Sequence, residues 1–428
     1  MSVHPLSAAT GTPGVTFHTN PGANPLRKRY KVRFPSREAY EAARSAELPT
    51  LYWPAVESRK RAFMSLAIPV DTRDLAGAAR NEAQTLTLFE REFGARIVED
   101  VRYDMEATEL FDAAEFQPAD AAQASLDEVL ATIRATECWG QVRGEGIVIA
   151  VVDTGIDGSR PEFPGWKRAG GWAAVGEDPW TDWNGHGTMC GVIAAGSRES
   201  GGIFDGVAPA AGVMACRTHF FDSELAAVYD ELASRAKAGT RIIATNSFGT
   251  RTGSPPPPPE DSDFIPALND AIAAGVTAFF SAGNYHELAG GAADGCDPTS
   301  IWLHKCRSDV MSVGTCKLDQ SMWSYSSRGP GQHHAEPHCN RKPDVMAPTP
   351  AYGRIVYGSD VVVLANGWGT SGACPQAAGL GALLLEHRPG LAPAALFDVI
   401  RSTAVRAGHG PDCEGAGMID CRAALDAA

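Results

Sequence analysis

GIVIAVVDTGID, residues 146–157, is an apolar run that ends on an acid and a glycine turn. Short unbroken apolar runs bounded by turn residues read as strands buried on both faces of a sheet. The pattern returns in AGVMACR (211–217), RIIATNSFG (241–249), GVTAFFSAGN (275–284) and DVMSVGT (309–315). Helical stretches such as SELAAVYDELASRAKAG (223–239) lie between some of them. This alternation predicts an α/β domain whose mostly parallel central sheet is covered by helices on both faces, three layers in all. Sheets of this kind bind ligands beyond the carboxyl ends of their strands. Asp153, Ser247 and Asn284 fall at such ends.

Two further segments, NGHGTMCG (184–191) and GTSGACPQAAG (369–379), set His186 and Ser371 beside glycines, as Asp153 is in the first. Glycine permits tight turns and close approach of a substrate backbone. A serine hydroxyl becomes an effective nucleophile only when an adjacent base takes its proton. His186 is the candidate base, Asp153 the group that orients it, and Ser371 the nucleophile at the start of a helix whose positive end faces a developing oxyanion. Each segment alone is more often structural than catalytic. Together, in the order Asp, His, Ser, they match one known solution to acyl transfer by serine.

The three segments resemble the subtilisin-like serine proteases, the subtilases, and the likeness extends over roughly residues 128–428. SAGN (281–284) is similar to the family's oxyanion segment, which implies that Asn284 donates to the oxyanion and that Ser281, Ala282 and Gly283 line the substrate site. NSFG (246–249) resembles the strand that pairs with substrate, implying substrate contacts for Ser247, Phe248 and Gly249 and an accessible apolar entrance. YSSRGP (325–330), KPDVMAP (342–348) and GAGMIDCRAAL (415–425) match further family segments. Cys190, directly after HGT-x, resembles the proteinase K branch, in which a thiol lies beneath the catalytic histidine. Gly372 departs from the family, many of whose members carry Met after the nucleophile. The loop THFFDSE (218–224) is shorter than the usual substrate-binding segment, so substrate pairing on that side is expected to differ.

The expected activity is peptide-bond hydrolysis through an acyl-enzyme, with a peptide or protein substrate and no cofactor required for the chemistry. Two alternatives stay open at this point. One is a maturation protease or macrocyclase that releases the same acyl-enzyme to an amine. The other is a binding scaffold whose site is permanently plugged.

Ahead of this region the pattern changes. Residues 1–25 lack hydrophobic periodicity and read as a flexible tail. YKVRF (30–34), a helix opened by Ser36 over 36–48, FMSLAIPV (63–70), a helix over 74–94 ending at Gly94, and ARIVEDVRYDM (95–105) form a β-α-β-α-β order. A small α/β module over 26–105 follows, with a linker over 106–127 and the main domain over 128–428. Its position resembles a subtilase pro-segment, which implies that it occupies the active site. RKRYK (27–31) reads as an exposed, charged strand start.

A net charge of −14 argues against nucleic acid as a partner. No apolar run approaches the roughly 20 residues of a membrane span, and the N-terminus lacks the pattern of a secretory signal. The chain is expected in the cytoplasm, with export by another route left open. Of ten cysteines, Cys190 and Cys374 sit in apolar helical contexts and are expected as buried thiols. Cys296 with Cys306, and Cys413 with Cys421, lie in loop-like stretches and are the disulfide candidates, their pairing unread. HHAEPHC (333–339) offers zinc-type ligands in what reads as an exposed insertion, and no metal is assigned to it. Glu162 stands where the family often has a calcium-binding acid, so a structural calcium stays open.

Overall fold

The computed structural model describes residues 27–105, 125–250, 252–254, 256, 261–332, 340–350, 355–357, 360–362 and 367–428. The expectations for residues 1–25, for most of 106–127 and for 333–339 lie outside them.

Strands β1 (Arg27–Arg33), β2 (Trp53–Ser58), β3 (Phe63–Pro69) and β4 (Arg96–Glu99) form an antiparallel sheet in the order β2-β3-β1-β4. Helix α1 (Arg37–Ser45) is capped by the Ser36 side chain, which accepts from the Ala39 N–H, and α2 (Leu75–Phe93) is capped by Asp74 and stopped at Gly94 with φ +62°. Val32, Tyr40, Leu66 and Phe89 share one core between sheet and helices. The sequence reading missed β2. Pro54 weakens its strand signal, yet β2 is an edge strand, where a missing N–H leaves no ladder bond unmade.

After β5 (Asp104–Met105), a capping box formed by Ser125 and Glu128 opens α3 (Leu126–Thr132). The central sheet uses β6 (Val148–Asp153), β7 (Arg168–Trp172), β8 (Gly212–Arg217), β9 (Ile242–Asn246), β11 (Thr277–Ser281), β12 (Met311–Cys316) and β13 (Val345–Pro348). Its order is β13-β12-β11-β9-β6-β8-β7, and every pairing is parallel. Helices α4 (His186–Ala195) and α7 (Gly369–His387) cover one face, and α5 (Asp222–Lys237) and α6 (Phe264–Ala273) the other. Neighbours in a strand point to opposite faces, so Val151 joins the core with Ile193 and Leu383 while Val152 joins Leu225 and Leu268. The three-layer α/β fold follows. Among the described residues no helix is long and apolar enough to cross a membrane.

The N-terminal sheet lies against α5 and α6, where Val56 and Phe63 enter the same core as Leu225 and Phe264. Here the reading of RKRYK is corrected. Arg29 and Lys31 are 6% and 2% exposed. Alternation along β1 puts Arg29, Lys31 and Arg33 on one face, and that face meets the N-terminal ends of α5 and α6. Lys31 Nζ lies 2.8 Å from Asp222 and 3.0 Å from Asp263, Arg29 is 3.2 Å from Glu224, and Arg33 is 2.9 Å from Asp263. Acids near a helix N-terminus oppose its dipole favourably, and here the same acids also bind β1.

Cys296 is bonded to Cys413, which supplies the pairing that the sequence left unread for these two candidates. Cys421, by contrast, is a buried free thiol that opens the last helix inside the core.

Candidate active site

Asp153 ends β6, and its Oδ1 accepts from the Thr154 N–H at 2.7 Å. The same oxygen lies 2.8 Å from His186 Nδ1. A carboxylate only accepts, so Nδ1 carries the proton and Nε2 is left basic. His186 is the first residue of α4. The end of β6 and the start of α4 touch through backbone: a Cβ on Gly187 would overlap the carbonyl oxygen of Gly155. That contact is why NGHG and DTGID carry glycine.

Asp182, which the sequence reading passed over, fastens this junction. Its Oδ1 accepts from Gly185 N–H (2.7 Å) and Thr154 Oγ1 (2.7 Å), and its Oδ2 from the Thr188 N–H (2.8 Å) and hydroxyl (2.6 Å). Thr154 Oγ1 in turn accepts from Gly187 N–H at 2.8 Å. An acid three residues before a glycine-rich helix start was the available signal.

Ser371 is the third residue of α7 and fully buried. Before it, Gly369 has φ +65°, and a Cβ there would come within 2.6 Å of Asn284 Nδ2. Asn284 Oδ1 accepts from the Thr370 N–H (3.0 Å) and hydroxyl (3.1 Å), which fixes the amide's orientation and turns Nδ2 to the helix start. Gly372 has no room for a side chain, since a Cβ would overlap Thr349 Oγ1 and come within 2.9 Å of Trp368 Cβ.

Pro375 lies inside α7, four residues after Ser371. It has no N–H to give the Ser371 carbonyl. Cys190 Sγ sits 3.6 Å from that carbonyl, 3.6 Å from Ser247 Oγ and 3.9 Å from His186 Nδ1. Burial, reinforced by the Asp153 carboxylate, pushes the Cys190 pKa well up, so the thiol keeps its proton and serves as a donor.

Of the residues predicted to bind substrate, Gly249 and Ala282 line one pocket. Asp104 and Met105 of β5 pair antiparallel with Gly249 and Phe248 of β10 (Phe248–Gly249). On the other side the Tyr103 N–H donates to the Phe220 carbonyl (2.8 Å) and the Asp222 N–H to the Val101 carbonyl (2.8 Å). The short loop after β8 thus pairs through its backbone with residues 101–103 of the same chain. The Phe248 ring is fully buried rather than accessible, because Tyr103 lies over it at 6.0 Å between ring centroids. Ser281 and Ala282 continue β11, with Ala282 N–H bonded to Val313 O (2.9 Å), and Gly283 turns the chain with φ +117° into Asn284.

Glu162, the acid left open for a structural calcium, faces Arg160 Nε with its Oε2 at 3.4 Å and accepts from Ile203 N–H with its Oε1 at 2.8 Å.

Residues 144–417 match the model of the subtilase family, and the chain belongs to that family. The intracellular serine protease of Paenibacillus polymyxa is 27% identical over 307 residues, covering 67% of this chain and 82% of that protein. Subtilisin DY of Bacillus licheniformis is 29% identical over 287 residues, covering 66% and 92%. In solved structures, MycP1 from Mycobacterium smegmatis shares the fold with a TM-score of 0.51 at 19% identity, covering 76% of this chain and 89% of that one. MycP1 with its N-terminal propeptide removed gives a TM-score of 0.52 at 21% identity, covering 70% and 96%. Family and relatives make this protein a serine endopeptidase, acting on peptides or proteins.

Proposed function

We propose that Ser371, His186 and Asp153 form the catalytic triad of this endopeptidase, and that it works through an acyl-enzyme. The observation that carries the reading is the 2.8 Å contact of His186 Nδ1 with Asp153 Oδ1, with Ser371 and His186 both held against Cys190. His186 Nε2 takes the proton of Ser371 Oγ as that oxygen bonds to the substrate carbonyl carbon. The charge on the carbonyl oxygen is met by the Ser371 N–H at the start of α7 and by Asn284 Nδ2. A donor like Asn284 contributes about 3–4 kcal/mol to such a transition state, a figure known from subtilisin. His186 then passes its proton to the departing amine, and water, activated by the same base, frees the acid. Cys190 supports a place near the proteinase K branch.

The module over 26–105 acts as a pro-segment in this reading, with residues 101–105 lying in the cleft as a peptide would. Ser371→Ala tests both parts. Peptide hydrolysis should fall by on the order of 10⁶-fold in kcat, and the intact mass should stay full-length where the wild type is shortened. Near-normal turnover in the variant refutes the triad. A wild type that stays full-length refutes the pro-segment.

A further inference from the structure

Parallel strands share one direction, so the central sheet has two rims. Asp153 ends β6 and Asn284 follows β11, which puts both at the rim where strands finish. At the other rim, where β12 and β13 begin, a cavity of about 340 Å³ opens. Ser308 precedes β12, residues 340–344 lead into β13, and the segment after α8 (Pro393–Thr403) supplies Arg406. A six-residue strand such as β12 is about 20 Å long, so this cavity is separate from the cleft.

Its floor is a neutralised network. The buried Asp344 accepts from Lys342 Nζ (2.6 Å), from the Ser312 N–H (2.7 Å) and from Arg401 (2.9 Å), whose other arm reaches Asp398 (2.8 Å). Two cations there meet two acids. Arg341 and Arg406 differ. Both are exposed and line the cavity, and neither guanidinium has an ion-pair or hydrogen-bond partner among the described residues. Glu414, a buried acid close to Arg406 in the fold, accepts instead from the N–H groups of Ala407 and Gly408 at 2.8 and 3.1 Å. The cavity therefore holds an excess of two positive charges, in a chain whose 51 acids outnumber its 37 lysines and arginines.

Both arginines stand on backbone that is already fixed. Just before Arg341, the Asn340 carbonyl accepts from the Gly331 N–H (2.8 Å) and the Asn340 side chain donates to the Cys306 carbonyl (2.6 Å). Just before Arg406, Val405 and Met418 exchange hydrogen bonds of 2.7 and 2.8 Å. Gly415 lets the walls meet, since a Cβ there would overlap the Pro343 carbonyl oxygen. Beyond the two side chains themselves, little is left for a ligand to order.

We propose that this cavity binds a phosphate dianion, free or carried on a small organic molecule. A guanidinium presents paired N–H donors that match two phosphate oxygens, which an ammonium does not. A phosphate monoester carries close to two negative charges near neutral pH, which equals the excess on Arg341 and Arg406. The volume suits a compact molecule and not an extended chain. Such a ligand ties the approach to β13 to the segment after α8, across the sheet from Ser371, so it stabilises the fold and leaves the cleft untouched.

Isothermal titration of the full-length protein tests this, with inorganic phosphate and phenyl phosphate as probes at about pH 8 and constant ionic strength. At least one should saturate a single site. Tighter binding of phenyl phosphate, by about tenfold or more, assigns an organic monoester, and equal binding assigns the phosphate group alone. Arg341→Gln and Arg406→Gln should each weaken binding at least about tenfold, the span of one hydrogen bond to a charged group. The same change at Arg37, exposed on the N-terminal module, should leave binding as it was. Phosphate should raise the melting temperature of the wild type and not that of the double variant. Absence of saturable binding by either probe overturns the proposal, as does an equal loss from Arg37→Gln. The wild-type titration decides by itself, so no variant's folding shelters it.

Discussion

The thiol of Cys190 stands in for the backbone N–H that Pro375 lacks: it approaches the Ser371 carbonyl at 3.6 Å, on the turn that presents the serine. It also lies 3.9 Å from His186 Nδ1, so one small side chain touches both residues proposed to exchange a proton. Sulfur, imidazole and carboxylate atoms of Cys190, His186 and Asp153 all lie within 4.8 Å of one another.

Soft metal ions bind thiolate and imidazole, displacing the thiol proton. Micromolar mercury(II) should therefore inhibit the protease, and Cys190→Ala should be resistant. Equal inhibition of wild type and variant would place the reactive thiol elsewhere. The variant should also lose about 1–3 kcal/mol of stability, from a carbonyl left without a donor, measurable by urea unfolding.

Asp182 binds the end of β6 to the start of α4 with charged hydrogen bonds. Asp182→Ala should cost about 2–3 kcal/mol and lower the melting temperature. Because His186 loses its fixed position while the cleft is intact, kcat should fall more than KM rises. An unchanged kcat with raised KM would show that Asp182 serves the cleft instead.

Gly372 replaces the methionine found in many subtilases, and the space beside it is filled by Thr349 and Trp368. No thioether adjoins the serine in sequence to become a sulfoxide. Activity should survive dilute peroxide at concentrations that silence a subtilase carrying Met there, and rapid loss, followed by peptide mapping, would locate another sensitive group. Gly372→Ala should itself cost about 1–3 kcal/mol through overpacking.

Lys31 sits between Asp222 and Asp263 where the N-terminal sheet meets α5 and α6. Lys31→Ala leaves the buried Asp222 without its cation and Asp263 with Arg33 alone, a loss of about 3–5 kcal/mol to docking. Ser371 should then label faster with a fluorophosphonate, because the segment over the cleft is released more often. Labelling at the wild-type rate would mean that the ion pairs do not hold the module in place.

The chain itself spelled out the strands from Val148 to Cys316, their parallel sheet, the helix start at Ser36 and the helix stop at Gly94, and the three glycine-flanked segments. These signals are local. A buried parallel strand must be apolar along its whole length, and a tight approach of backbones must use glycine, so each leaves its mark within a few residues. Asp153, His186, Ser371 and Asn284 could be picked out for the same reason, each being embedded in such a mark.

Other features depend on which surfaces meet, and no local pattern records that. Arg29 and Lys31 read as solvent-facing charges until the acidic starts of α5 and α6 close over them. Cys296 finds Cys413 from 117 residues away. Tyr103 covers Phe248. Residue type and spacing set what each group can do chemically, while burial and distance, fixed only when the layers pack, set which partner it does it with.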